Sequence, residues 1–210
     1  MSAGLSQPRF TYADYLVWEE AQPERHEYLG GEVFAMAGGS TAHNTLSLNA
    51  AIALRAQTRG TPCRVYMADV KLRVEAANTS FYPDVFVTCS AADAARSNQQ
   101  QDALLIVEVL SPSTEGHDRG DKFSAYRMLP SLQAVVFVAQ GQPHIEAFIR
   151  SADGVWTLHE ATGLDAQLTC ATPERSFVFP LAELYAEVDF SAAPAEAAAE
   201  TAAASSGTST

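Results

Sequence analysis

The chain has 210 residues and a formal net charge of −12, with 25 acidic against 13 basic side chains. Its length suits one globular domain with a short extension, and 47% hydrophobic residues are enough for a core. Such acidity argues against non-specific clinging to nucleic acid, because phosphate neutralisation supplies most of that affinity. No basic start leads into an apolar run, and no apolar run nears the roughly 20 residues that span a bilayer. Neither a secretory signal nor a membrane anchor is expected. Cys63, Cys89 and Cys170 are odd in number and lack CxxC spacing, which predicts free thiols in a reducing cytoplasm.

Thr11 is placed to cap a first helix, TYADYLVWEE, which should stop before Pro23. HEYLGGEVFAMA reads as two short strands around the hairpin turn Gly30-Gly31. A second helix is expected from Ser40 or Thr41 to about Gln57, with Leu46, Ala50, Ala53 and Leu54 on one face and Gly60 and Pro62 ending it. CRVYM, DVKLRV and FYPDVFVTC follow as strands, with a turn at Asn78-Thr79-Ser80, and then an Ala-rich segment near 91–96. LLIVEVL (104–110) has the continuous apolar pattern of a strand buried on both faces. DRGDKFSAYRML should form a helix ended by Pro130, and LQAVVFVA another buried strand. Antiparallel strands near 144–150, 154–160 and 176–179 and a short helix LAELYA close the pattern. Buried strands, flanking helices and peripheral hairpins predict an α/β (α+β) core with a mixed sheet. Residues 1–190 form a single domain in this reading. From Ser191 the Ala/Ser/Thr-rich stretch has no apolar face and is expected to be a disordered tail.

One ionisable residue, Glu108, interrupts the buried run, and a carboxylate there is costly unless something compensates it. Asp84 stands at the head of DVFVT. Two carboxylates converging on neighbouring strands repel each other unless a cation lies between them. Mg²⁺ takes one or two carboxylates together with water and phosphate oxygens. This pairing suits phosphodiester hydrolysis. The plainer reading makes Asp84 a turn residue and Glu108 a member of a core ion pair. Lys122, with Tyr126 four residues on, could reach Glu108 from the following helix, where it would orient or deprotonate water and steady charge. Its plainer alternative is an i,i+4 pair with Asp118 on a solvated face.

PD at 83–84, VEVLSPST at 107–114 and DRGDKFSAYR at 118–127 together resemble the PD-(D/E)xK nuclease superfamily. More narrowly they resemble the Uma-type, restriction-endonuclease-like proteins, and FTYADYLVW and ERHEYLGGEVFAMAGGSTAHN agree with that family's opening. The resemblance spans roughly residues 10–185. It implies a restriction-endonuclease-like core, Asp84 and Glu108 as ligands of Mg²⁺ (or Mn²⁺), the Val109 carbonyl as a further ligand, and Lys122 as the catalytic lysine. It implies DNA as substrate and, by analogy with enzymes that cut two strands, a homodimer. Glu32 matches the family's Gly-Glu position and joins the catalytic set; Glu27 matches less closely. His43, near a helix start, lies where it could approach a phosphate, but reads first as a capping or surface histidine.

Two positions depart from the pattern. A conventional ExK motif would put lysine at 110, which is Leu110 here, so the role moves to Lys122. The strand LQAVVFVAQ carries Gln133, Val136, Ala139 and Gln140 where relatives tend to have acidic positions. The expected function is therefore a metal-dependent endonuclease, with a catalytically inactive nuclease fold serving as a binding or assembly module as the alternative.

Overall fold

The computed structural model describes residues 10–190 except Ala37, Ser113 and Glu174, so the tail expected from Ser191 lies outside the described residues. Helix α1 (Tyr12–Glu20) starts at Thr11, whose hydroxyl accepts the Asp14 N–H while Asp14 bonds back to Thr11, a reciprocal capping box. Strands β1 (His26–Leu29) and β2 (Glu32–Ala35) form the hairpin expected at Gly30-Gly31. Both glycines have positive φ, +59° and +106°, which side chains rarely tolerate. The buried carboxylate of Glu19 accepts from the His26 N–H and the Tyr82 hydroxyl, mooring α1 beside β1. Helix α2 runs from Thr41 to Gln57 with Ser40 as its cap, and buries Leu46, Ala50 and Leu54.

Beyond α2 come β3 (Arg64–Met67), β4 (Lys71–Val74), β5 (Thr79–Phe81), β6 (Val85–Thr88), the short helix α3 (Ala91–Ala94), β7 (Gln99–Gln100) and β8 (Ala103–Leu110). A helical segment follows, made of α4 (Glu115–His117), a π-turn (Asp118–Lys122) and α5 (Phe123–Tyr126). Strands β9 (Ala134–Ala139), β10 (His144–Arg150), β11 (Trp156–Thr162), β12 (Gln167–Ala171) and β13 (Ser176–Pro180) lead to α6 (Leu181–Leu184).

A mixed six-stranded sheet, β11-β10-β9-β8-β6-β3, forms the centre, with β8 and β9 parallel and its other pairs antiparallel. A second sheet has the order β2-β1-β5-β4-β7, and β12 pairs with β13 alone. All eight residues of β8 are buried because both of its faces are covered. Leu105, Val107 and Val109 pack with Leu46, Ala50 and Leu54 of α2. Ile106 and Leu110 pack with Leu72 and Phe81 of the second sheet and with Phe123 and Tyr126 of the helical segment. Side chains alternate along a strand, so Glu108 shares the second of these faces.

Three expectations are corrected. FYPDVFVTC is not one strand: Pro83 has no N–H to give a ladder, and the chain crosses there from β5 in one sheet to β6 in the other. The expected turn at 78–80 is only Asn78, in the left-handed region at φ +52°, while Thr79 and Ser80 belong to β5. Cys63 and Cys89 are not free thiols but form a disulfide; Cys170 alone is free and buried. The β3–β6 register pairs Arg64 with Thr88, which brings the residues just beyond that pair together. No described helix is long and apolar enough to cross a membrane.

The disulfide closes a loop of 26 residues. Replacing both cysteines by alanine is expected to lower unfolding free energy by about 2–4 kcal/mol, read as a lower urea midpoint under oxidising conditions. Under reducing conditions the two proteins should unfold at nearly the same midpoint.

Candidate active site

Where the chain leaves Pro83, Asp84 stands just before β6, an interior strand of the central sheet. The β6–β8 register pairs Val85 with Val107, and one step further it sets Asp84 opposite Glu108. The two acids are interlocked through backbone donors. The Asp84 N–H donates to Glu108 Oε2 at 3.2 Å, and the Val109 N–H donates to Asp84 Oδ2 at 2.7 Å. Ala68 N–H donates to the Asp84 carbonyl at 3.2 Å from a left-handed backbone, φ +51°, unusual for a residue with a side chain. This contact ties the β3–β4 corner to the crossover.

Lys122 reaches into the same place. Its Nζ lies 3.0 Å from Glu27 Oε1, 3.2 Å from Asp118 Oδ1 and 3.6 Å from Glu108 Oε1, and the side chain is only 10% exposed. The expected helix is interrupted by the π-turn, and Asp118 and Lys122 are its buried residues. Their i,i+4 pair exists, but inside the molecule rather than on a solvated face. Burial opposes the charge on Lys122, yet Glu108, Glu27 and Asp118 outweigh it and raise its pKa. Burial likewise opposes the charge on Glu27, but His117 and Lys122 hold its pKa below the usual range. For Glu108 burial dominates; Lys122 opposes it, the charges of Asp84 and Asp118 add to it, and the pKa is pushed up. Tyr126, wholly buried, donates its hydroxyl to Glu108 Oε1 at 2.6 Å.

Two histidines flank the group. His43 Nε2 stands 3.2 Å from Asp84 Oδ2, and His117 Nε2 stands 3.6 Å from Glu27 Oε2. The structure thus brings Asp84, Glu108, Lys122, Glu27 and His43 together. Val109 meets Asp84 through its N–H. Glu32 is not brought in: it is exposed at the turn end of β2, opposite Leu29, and makes no hydrogen bond or ion pair with this cluster. Asp118 and His117 were missed as site residues. Asp118 was visible only as a partner of Lys122, and nothing in the local pattern distinguishes His117. Gln140, noted for replacing an acid, links elements instead: its amide donates to the Leu110 carbonyl and accepts from the Ser40 hydroxyl.

Among the described residues, one group of three His, Cys, Asp or Glu has ligand atoms within 4.8 Å of one another: His144, Glu146 and Glu160 on β10 and β11. Glu146 there is gripped by both terminal nitrogens of Arg119, so this is a surface ion network. The Asp84–Glu108 pair is a different kind of site, with two carboxylates on paired strands beside a buried ammonium. Magnesium needs no more protein ligands than that, because water and substrate complete its shell.

Residues 12–182 match the Uma2 family model, whose description reads "Putative restriction endonuclease". An uncharacterized protein of Synechocystis sp. is 37% identical over 153 residues, covering 72% of this chain and 80% of the relative. A second from the same organism is 32% identical over 160 residues, covering 75% and 90%. A crystal structure from Anabaena variabilis, described as a putative nuclease belonging to DUF820, is similar with a TM-score of 0.65 at 12% identity, covering 84% of this chain and 97% of that one. That likeness establishes the restriction-endonuclease-like α+β fold expected from the sequence. The chain belongs to the Uma2 family.

Proposed function

We propose that this protein is a Mg²⁺- or Mn²⁺-dependent endonuclease that hydrolyses DNA phosphodiester bonds, with Asp84 and Glu108 holding the metal. The observation that carries the reading is the interlocked Asp84–Glu108 pair at a sheet crossover beside the buried Lys122 ammonium. Among the described residues, the Val109 hydrogen bond and the His43 ion-pair contact both fall on Asp84 Oδ2, which leaves Oδ1 for a ligand. The repulsion between the two acids, which helps to raise the Glu108 pKa, is relieved by a divalent cation. Bound there, the metal would polarise a phosphoryl oxygen and make a ligated water more acidic.

The chain's own groups hold this arrangement in place. Tyr126 fixes Glu108 Oε1, and the Val109 N–H fixes Asp84 Oδ2. Lys122, enclosed by three carboxylates, acts as a cation that orients water and offsets charge gathering on phosphate, not as the group that removes the proton. Glu32 has no part in this reading. The DNA substrate rests on the family's description and the neighbour's, and a homodimer would give two such sites for two strands.

A second reading, an inactive fold used as a binding module, is favoured by one distance relation. Lys122 lies closer to Glu27 and Asp118 than to Glu108, as in a structural ion cluster.

Incubation with supercoiled plasmid distinguishes these readings. Nicking is expected with Mg²⁺ or Mn²⁺ and none with chelator, and Asp84→Asn should fall to the chelator background while keeping the wild-type melting temperature. Lys122→Met should lose about 100-fold or more in rate. It should also lose about 3–5 kcal/mol of stability, since it strands buried carboxylates, so its rate is read at a temperature where circular dichroism shows it folded. Glu32→Ala should cleave like wild type. Absence of metal-dependent nicking by the folded wild-type protein would leave the binding-module reading.

A further inference from the structure

We propose that His43 is a positioning residue for Asp84, holding Oδ2 so that Oδ1 is the oxygen presented as a ligand. The inference rests on the nuclease reading of the site. His43 Nε2 approaches Asp84 Oδ2 at 3.2 Å, and the Val109 N–H reaches the same oxygen at 2.7 Å. A carboxylate turns readily about its Cβ–Cγ bond, because that torsion is broad. A hydrogen bond from β8 and an ion-pair contact from α2, meeting on one oxygen, restrict this freedom.

His43 is not the cap that the sequence reading made it: Ser40 is, and the His43 N–H donates to the Ser40 hydroxyl oxygen at 3.1 Å. That leaves the imidazole for another purpose, and the surroundings hold it in position. A Cβ on Gly39 would stand 3.1 Å from His43 Nδ1, so the loop before α2 closes on the ring at a residue that lacks a side chain. The Ser40 hydroxyl donates to Gln140 Oε1 at 2.8 Å, and Gln140 Nε2 donates to the Leu110 carbonyl at 3.0 Å. The start of α2 is thereby tied to the end of β8, two residues past Glu108. Further along α2, Leu46, Ala50 and Leu54 are fully buried against the sheet, which makes the helix a rigid mount for the ring. A histidine turned to solvent would need none of these contacts.

The test is Mn²⁺ titration calorimetry on the full chain, run beside the plasmid assay, for wild type, His43→Ala, His43→Gln and Gly39→Ala. His43→Ala should weaken Mn²⁺ binding about 10–100-fold, the usual cost of removing a group that orients a metal ligand. His43→Gln, which keeps an N–H donor of similar reach, should recover most of it. Gly39→Ala should fall between wild type and His43→Ala, and it carries the test alone if His43→Ala does not fold. Wild-type affinity in His43→Ala, or in Gly39→Ala where that variant stands alone, overturns the inference and leaves the nuclease reading intact. A His43→Gln protein as weak as His43→Ala also overturns it, since the imidazole would then be a ligand itself. A wild-type protein that neither binds Mn²⁺ nor nicks plasmid removes the nuclease reading and this inference together. Calorimetry still reads the effect of His43 where binding occurs without nicking.

Discussion

At the centre of this molecule an ammonium group is buried among three carboxylates that arrive from three separate elements. Glu27 comes from β1, Glu108 from β8 and Asp118 from the π-turn that also carries Lys122. Desolvating these charges is tolerable only when each finds its partner, so the hairpin, the central sheet and the helical segment must dock in one arrangement. Asp84 adds a fourth carboxylate next to Glu108 without bringing a cation of its own beyond His43. In the proposed nuclease reading, a divalent cation would offset the repulsion between Asp84 and Glu108.

The scaffold around this cluster holds it in place, with the Asp84 and His43 side chains only partly exposed. β8 is covered on both faces, so Glu108 has no room to turn away. The break at Pro83 hands the chain from the second sheet to the central one, and Asp84 occupies the crossover, where backbone donors are available to its side chain and side-chain oxygens to its backbone. Regular strands would have spent those donors on ladder bonds. The crossover and the π-turn are irregularities that place Asp84 and Lys122 beside Glu108.

Much of this was legible in particular residues. Thr11 with Asp14 announced the first helix, Gly30-Gly31 the hairpin, and the apolar alternation along α2 its buried stripe. Glu108 stood out because a lone acid in a buried strand demands compensation, and Lys122, expected to reach Glu108 from the following helix, does lie 3.6 Å from it. Other features were not legible. Glu27 and Glu32 both sit on the hairpin and both matched a family pattern, yet only Glu27 meets Lys122, because burial and not motif position separates them. Cys63 and Cys89 are far apart in the chain and joined only by the β3–β6 register. His43 resembled a cap because it stands in the first turn of α2, where its N–H donates to the true cap, Ser40.

By itself, then, the sequence determined most of the elements, the pairing of Asp84 with Glu108 and the reach of Lys122 towards it, since these depend on local periodicity and on the cost of burying a charge. Tertiary structure alone decided which second acid pairs with Lys122, that the i,i+4 partner Asp118 turns inward, and that His43 meets Asp84. The reason is one of range. Propensity and patterning act over a few residues along the chain, whereas a hydrogen bond or ion pair forms wherever the register of sheets and the docking of helices bring two groups within about 3 Å.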